Sequence, residues 1–348
     1  MRVLFQSMTS LRLEDLMRES YTIRILRWLP IIESLKPKVY ITTFSVLEEP
    51  LIEYLNTIGI KTVFWAYACN PFFFTSQNMN LRFRSLQISN IMSRTMICWN
   101  SHFAEFVNAN PQNGLETRAI GPLMCGDETI MVSDKEAICN MLNIVHDPCA
   151  KYIGVFDAPE NSSSKYRNSA KGSQHNTSEY NYLFMRDLYR LHTEFPNTIL
   201  IYKPKRSLTS GKFSYSSDLK KLFADMIKNP RVAVLDYNIN PWVPLALADI
   251  AVCPPFESPT IAALHYGKLG LFYDPTNLAR YHLYHEFPEI LTYTYYDLKF
   301  KVDQWVNEKS DLNNLMDEAR LRRLQGDSAK SNSSRIFREY LSSLATNP

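Results

Sequence analysis

Short apolar, β-branched runs alternate with longer amphipathic stretches along most of this chain, the pattern of parallel strands covered by helices. In the first half the runs that read as strands are Arg2–Gln6, Lys38–Thr43, Lys61–Ala66, Thr95–Trp99 and Thr117–Ile120. Helical periodicity lies between them, near residues 10–35, 46–58, 83–92 and 101–108. In the second half strands are expected at Tyr152–Phe156, Thr198–Tyr202, Arg231–Leu235, Asp249–Cys253 and Leu269–Tyr273. The helices between them fall near 179–194, 215–228, 241–247 and 258–266. Beyond Tyr273 the strand signal fades, and helices near 295–308, 310–324 and 334–345 follow. The expected fold is α/β, with two Rossmann-like open parallel-sheet domains at 1–148 and 149–325 and a helical C-terminal tail at 326–348. The junction is placed where the helical stretch Ser133–Leu142 gives way to His146-Asp147-Pro148. Residues 158–179 break the rhythm: they are polar, aperiodic and long for a connection inside a compact domain. They read equally as a surface insertion or as a flap at the sheet's carboxyl edge.

Composition narrows the function. A chain of 348 residues, 45% hydrophobic and 13% aromatic, has the length for two domains and the apolar content for two cores. A net charge of +3, without a dense Lys/Arg stripe, excludes nucleic acid from the expected partners. The six cysteines, at 69, 98, 125, 139, 149 and 253, form no CxxC pair and several lie in apolar runs, so they read as free thiols of a reducing compartment. No uncharged apolar run reaches the roughly 18 residues of a spanning helix. The N-terminus also lacks the basic region and apolar core of a signal peptide. The expected location is cytoplasmic, with peripheral association at the inner membrane face as a further option. That option rests on residues 12–38, where Arg12, Arg18, Arg24, Arg27, Lys36 and Lys38 are interleaved with Ile25, Leu26, Trp28, Leu29, Ile31 and Ile32. Such a helix either covers its own sheet or lies on an anionic lipid surface.

In open α/β sheets, ligands bind beyond the carboxyl ends of the strands, so the residues just after each strand are the candidates. Asp157 and Glu160 follow the first strand of the second half, and Lys203, Lys205 and Arg206 follow the second. Tyr237 and Asn238 follow the third, and Glu257, Ser258 and Thr260 lie between the fourth and its helix. Ser258 suits an N-cap, with Pro259 in the first turn and Thr260 adding a second hydroxyl; together they suit a phosphate or an ordinary helix start. The three cations suit a diphosphate or a sugar carboxylate, or form a solvated basic turn. Asp157 reads as a general base, a nucleophile or a turn aspartate. Glu257 reads as a hydrogen-bond acceptor for ribose or sugar hydroxyls, or as a loop acid. His282 and His285, in YHLYH, are read as packing residues. There is no Asp-x-Asp, GxxxxGK[ST], GxGxxG or HExxH.

The run ADIAVCPPFESPTIAALHYGKLGLFYDP resembles the corresponding segment of GT-B glycosyltransferases of bacterial capsule and lipopolysaccharide biosynthesis. There a strand ends in a Pro/Ser-rich turn, a short helix follows, and Gly-Lys leads to a strand ending in Tyr-Asp-Pro. A weaker likeness extends over about 150–275, and in the first half only the general pattern matches, chiefly KVYITTFSVLEEPLIEYLNTIGIKTVFW and TMICWNSHFAEF. MRVLFQSMTS has no glycine where such enzymes carry a Gly-rich loop, and Lys203-Pro204 stands where many carry His-Pro. The resemblance implies a metal-independent glycosyltransferase without a cofactor, moving sugar from a nucleotide-sugar donor to a glycan or lipid-linked acceptor in surface polysaccharide biosynthesis. By position it implies Ser258 and Thr260 at the phosphate, Lys203 and Lys205 assisting, and Tyr237 and Asn238 near the base. The lysine-rich turn suits an acidic donor such as a CMP-linked ulosonic acid. Two alternatives stay open: a sugar-nucleotide epimerase or other transferase of the same fold, and a catalytically silent glycan-binding or scaffold module.

Overall fold

The computed structural model describes the chain except for residues 1–12, 44–48, 67, 70–90, 110–114, 124–129, 132, 159–176, 209–214, 256, 278–282, 308–310, 327–332 and 347–348. The expected strand Arg2–Gln6, the polar stretch apart from its ends, Glu160 and His282 lie outside the described residues. So does the expected helix near 83–92, except for Ile91 and Met92, which are not helical.

Helix α1 (Leu13–Leu35) leads into β1 (Val39–Thr42), α2 (Glu49–Thr57), β2 (Lys61–Trp65), β3 (Thr95–Cys98), α3 (Ser101–Asn108) and β4 (Glu116–Ala119). The four strands pair in parallel in the order β1-β2-β3-β4. All four residues of β3 are buried, as an interior parallel strand with both faces covered requires. Asn100 starts α3 by accepting the Phe103 N–H at 2.8 Å, an N-cap that satisfies one of the helix's free donors.

The second sheet is built from β5 (Lys151–Phe156), β6 (Thr198–Lys203), β7 (Val232–Val234), β8 (Ile250–Cys253), β9 (Leu269–Tyr273) and β10 (Leu291–Thr292). Its order is β10-β9-β8-β5-β6-β7, all parallel. Counted from β5, this is the doubly wound order 3-2-1-4-5-6, which reverses direction between β5 and β8. Helices α4 (Lys135–Leu142), α5 (Ser178–Glu194), α6 (Ser217–Met226), α7 (Trp242–Leu247), α8 (Pro259–His265) and α9 (Tyr295–Asn307) cover it. β6, β8 and β9 are buried at every position, and β5 at all but Lys151. Each fully buried aliphatic or Phe side chain contributes on the order of 2 kcal/mol, so this sheet carries the larger core.

Two contacts explain the Ser-Pro-Thr to Gly-Lys run. Helix α8 lies so close to β9 that a Cβ on Gly270 would stand 2.0 Å from the Thr260 carbonyl oxygen. Only glycine fits there. Lys268 then sends its ammonium to the Ala246 and Ala248 carbonyls at the end of α7, where a cation meets the unsatisfied acceptors of a helix C-terminus. Burial pushes its pKa down to about 8.

A short 3-10 turn (Leu312–Asn314) and α10 (Glu318–Gln325) close the second unit, and α11 (Ser333–Thr346) returns to the first sheet. There Tyr340 joins Val63, Ile97, Ile120 and Leu123 in one apolar cluster. Its hydroxyl hydrogen-bonds the Thr95 Oγ1 at 3.2 Å, and the Arg118 guanidinium lies 4.4 Å over its ring. The tail segment is therefore part of the first domain's core.

The carboxyl edges of the two sheets face one another. Trp99, just past β3, packs its ring 6.2 Å from that of Trp242, at the start of α7. Tyr284, wholly buried, donates to the Cys69 carbonyl at 3.1 Å and accepts from Asn100 Nδ2 at 3.2 Å. Below these, Arg323 of α10 bridges Glu105 of α3 at 2.6 Å and Glu286 at 3.1 Å, and His102 Nε2 lies 2.8 Å from the Leu283 carbonyl.

Candidate active site at the carboxyl edge of the second sheet

The register sets where the candidates leave the sheet. Phe156 pairs with Lys203, and Val155 pairs with Val252, so β5, β6 and β8 end at one level. Asp157, the 204–206 turn and the residues 254–255 and 257–258 therefore emerge side by side at the point where the strand order reverses, the usual ligand crevice of such sheets.

Asp157 is the buried centre of this edge, 4% exposed. One carboxylate oxygen accepts the Tyr202 hydroxyl at 2.6 Å and the other accepts the Lys205 backbone N–H at 2.6 Å. Burial pushes its pKa up to about 6, further raised by the negative charge of Glu257, while the two hydrogen bonds and the Lys205 charge pull the other way. A carboxylate in this range is ionised at neutral pH yet basic enough to take a proton.

Lys205 extends its ammonium to both oxygens of Glu257, at 2.8 and 2.9 Å. Because β5 lies between β6 and β8, this ion pair crosses the end of β5, over the strand that delivers Asp157. Glu257 is drawn in to 18% side-chain exposure and Lys205 stays at 43%. Burial raises the Glu257 pKa against the opposing pull of Lys205 and Arg206. Arg206 is exposed, with its guanidinium 3.3 Å from the Lys205 carbonyl.

The other sequence candidates take different parts. Lys203 is buried, and its ammonium donates to the Pro204 and Tyr237 carbonyls at 2.8 and 2.9 Å, tying the loops after β6 and β7 together. Burial lowers its pKa. Tyr237 presents an exposed ring, and the Asn238 N–H closes a turn on the Asp236 carboxylate at 2.7 Å. Ser258 takes the expected N-cap position of α8, but its backbone is already helical and its side chain makes no capping bond. Its hydroxyl instead faces the Cys69 thiol across the domain boundary, where it favours the thiolate. Burial pushes that thiol up to about 12. Thr260 is wholly buried, and its hydroxyl donates to the Leu271 carbonyl at 3.0 Å, so it fastens α8 to β9 and presents no hydroxyl to a ligand.

Sequence reasoning missed Tyr202, the residue that holds Asp157. The available signal was a lone tyrosine in the aliphatic run TILIYK, since a buried phenol needs a partner for its hydroxyl. It also missed Asp274, wholly buried past β9, which accepts the Thr276 N–H and hydroxyl at 3.1 and 2.7 Å. Among the described residues no group of three or more His, Cys, Asp and Glu side chains is arranged to hold a metal ion.

The family model described as "Polysaccharide biosynthesis PFTS motif protein" matches residues 3–302. Read in one-letter code, two tetrapeptides come within one residue of that motif: Phe73-Phe74-Thr75-Ser76, outside the described residues, and Pro255-Phe256-Glu257-Ser258 at the edge just described. Comparison with curated proteins gives no match. Among solved structures, the fold is similar to a UDP-GlcNAc 2-epimerase from Methanocaldococcus jannaschii, with TM-score 0.54, 11% identity, and coverage of 95% of this chain and 83% of that one. It is similar to S. aureus MnaA in a co-structure with UDP, with TM-score 0.52, 9% identity, and coverage of 97% and 84%. It is also similar to a Glycyrrhiza uralensis UGT complexed with glycyrrhetinic acid 3-O-monoglucuronide, with TM-score 0.51, 9% identity, and coverage of 93% and 76%. At these identities the likeness is one of fold, and that fold is GT-B-like.

Proposed function

The chain belongs to the polysaccharide biosynthesis PFTS motif protein family, and from that premise we propose that it transfers a sugar from a nucleotide-sugar donor to a glycan or lipid-linked acceptor. The observation that carries this reading is Asp157, buried at the β5/β8 reversal, with a pKa raised to about 6 and a lysine ammonium beside it. The donor's phosphates lie at Lys205 and Arg206, and the acceptor enters from the facing edge of the first sheet. Asp157 takes the proton of the acceptor hydroxyl as that oxygen bonds to the anomeric carbon. The bond from anomeric carbon to phosphate oxygen breaks, and the nucleotide leaves with the electron pair, its charge met by Lys205 and Arg206.

No metal is assigned a part, and activity that persists in EDTA is the expected outcome. Lys205 and Arg206 supply the charge that suits an acidic, CMP-linked donor, because the Lys203 ammonium is held by backbone carbonyls. A thermal-shift screen of CMP-, UDP- and GDP-sugars tests it: stabilisation by a neutral-sugar donor alone rejects the acidic donor. Transfer, or slow donor hydrolysis, that Asp157→Ala abolishes supports the transferase; its absence with every donor class favours a silent binding module.

The second reading is an epimerase of the same fold, favoured by the UDP-GlcNAc 2-epimerase among the similar structures. Turnover of a nucleotide sugar with no acceptor present, giving a new sugar epimer, would select it over the transferase.

Peripheral membrane association has its own support. On α1, Ile23, Leu26, Trp28, Ile31 and Leu35 are exposed, Leu35 to 71%, while Ile32 is buried against Leu51 and Leu55. Arg27, Lys36 and Lys38 are exposed along the same stretch. No helix among the described residues is long and apolar enough to cross a membrane. We infer that α1 lies on an anionic lipid surface. Co-sedimentation with phosphatidylglycerol vesicles, lost in Leu26→Asp/Leu35→Asp, is expected; a wild-type protein that stays in the supernatant removes the idea.

A further inference from the structure

The Lys205–Glu257 ion pair joins two loops that a ligand at the strand reversal would have to part. Both Glu257 oxygens are on one ammonium, at 2.8 and 2.9 Å, and the pair crosses the end of β5, where Asp157 is held by the Lys205 backbone N–H. Glu257 belongs to the loop Pro255-Phe256-Glu257-Ser258, in which a threonine in place of this acid would spell the tetrapeptide of the family's name. A neutral hydroxyl there would leave the ammonium without its carboxylate partner.

We propose that Glu257 is a stand-in anion, which occupies the Lys205 ammonium while the site is empty and yields it to an incoming ligand that carries two or more negative charges. The proposal rests on the donor-site reading above and adds a selectivity to it. A carboxylate that makes two contacts with the same ammonium is a strong competitor for any single-charge anion, which offers Lys205 nothing better. A diphosphate brings more charge and more acceptor oxygens, and Arg206 on the neighbouring position adds to its attraction. The exchange also keeps the turn in order: with the ammonium always paired, the Lys205 backbone stays where its N–H holds Asp157.

The consequence runs against the usual expectation for a polar residue in a binding site. Removing Glu257 should tighten anion binding, because the ligand then has no ion pair to break. The experiment titrates inorganic pyrophosphate, UDP and dimethyl phosphate calorimetrically into the full-length wild type, Glu257→Gln, Glu257→Thr and Lys205→Met, with circular dichroism and thermal unfolding to verify that each is folded. Glu257→Gln keeps the side chain's size, and Glu257→Thr puts a neutral hydroxyl in its place.

Expected is about tenfold tighter pyrophosphate binding in both Glu257 variants, a change of 1.4 kcal/mol. Binding of dimethyl phosphate, a single-charge anion, should appear in those variants while remaining undetectable in the wild type, and Lys205→Met should weaken UDP and pyrophosphate at least tenfold. If Glu257→Gln binds pyrophosphate more weakly than the wild type, or equally well, Glu257 is not a stand-in and the proposal falls while the donor site stands. If neither UDP nor pyrophosphate binds the wild type, or Lys205→Met binds both unchanged, the donor-site reading itself falls.

Discussion

Replacing Asp157 by asparagine should make the protein more stable at neutral and alkaline pH, by an amount that depends on pH in a defined way. The folded-state pKa of Asp157 is about 6, against about 3.9 for an aspartate in an unfolded chain. The group therefore binds its proton more tightly when folded. Its favourable contribution is complete below pH ~4 and is lost as pH rises through about 6. Two pKa units correspond to about 3 kcal/mol, which is the cost of carrying this buried carboxylate in its ionised form. Asparagine carries no such cost. It can still accept the Lys205 N–H through its oxygen, but its amide now donates towards Tyr202, whose hydroxyl loses its acceptor. That rearrangement costs about 1–2 kcal/mol at every pH. The two proteins should thus differ little, or favour the wild type, near pH 4. By pH 7.5 Asp157→Asn should lead by about 1–2 kcal/mol, a few degrees in Tm for domains of this size. The assay is thermal and urea unfolding of both proteins side by side from pH 4 to 8, reading only the difference, so that groups common to both cancel. A difference that does not change with pH would refute the buried, proton-hungry Asp157 on which the proposed chemistry depends.

Three further outcomes test the frame around the site. Gly270→Ala forces a Cβ to within 2.0 Å of the Thr260 carbonyl, so α8 must move off β9; a loss of more than about 3 kcal/mol is expected in urea unfolding. Lys268→Met leaves two carbonyls at the end of α7 without their cation and should cost about 2 kcal/mol, read as a lower Tm. Tyr284→Phe keeps the packing but removes the hydroxyl shared by Cys69 and Asn100; about 1–2 kcal/mol should be lost, with faster proteolysis at the domain boundary.

The second sheet was legible because parallel strands buried on both faces must be continuous apolar runs, and KYIGVF, TILIYK, IAVC and LGLFY are such runs. β10 escaped notice because two residues, Leu291 and Thr292, make no pattern. The site was legible as a neighbourhood: the strand-end rule brought Asp157, Lys205 and Glu257 to one edge. It failed on individual duties, since these are decided by contacts distant in sequence. Thr260 faces a strand eleven residues on, Ser258 meets a cysteine from the other domain, and Lys203 reaches a loop after the next strand. Capping chemistry placed Ser258 at the N-cap from local sequence, which the structure bears out in position but not in a side-chain capping bond.

The return of α11 to the first sheet also orders events during synthesis. Val63, Ile97 and Leu123 are made early, but the face they form is covered by Ile336, Phe337, Tyr340, Leu341 and Leu344, which emerge more than two hundred residues later. The second domain, continuous from α4 to α10, can complete its core while the first still waits with an open apolar face. A fragment ending at residue 148 should therefore aggregate or call on chaperones, and the nascent chain should remain dependent on them until α11 arrives.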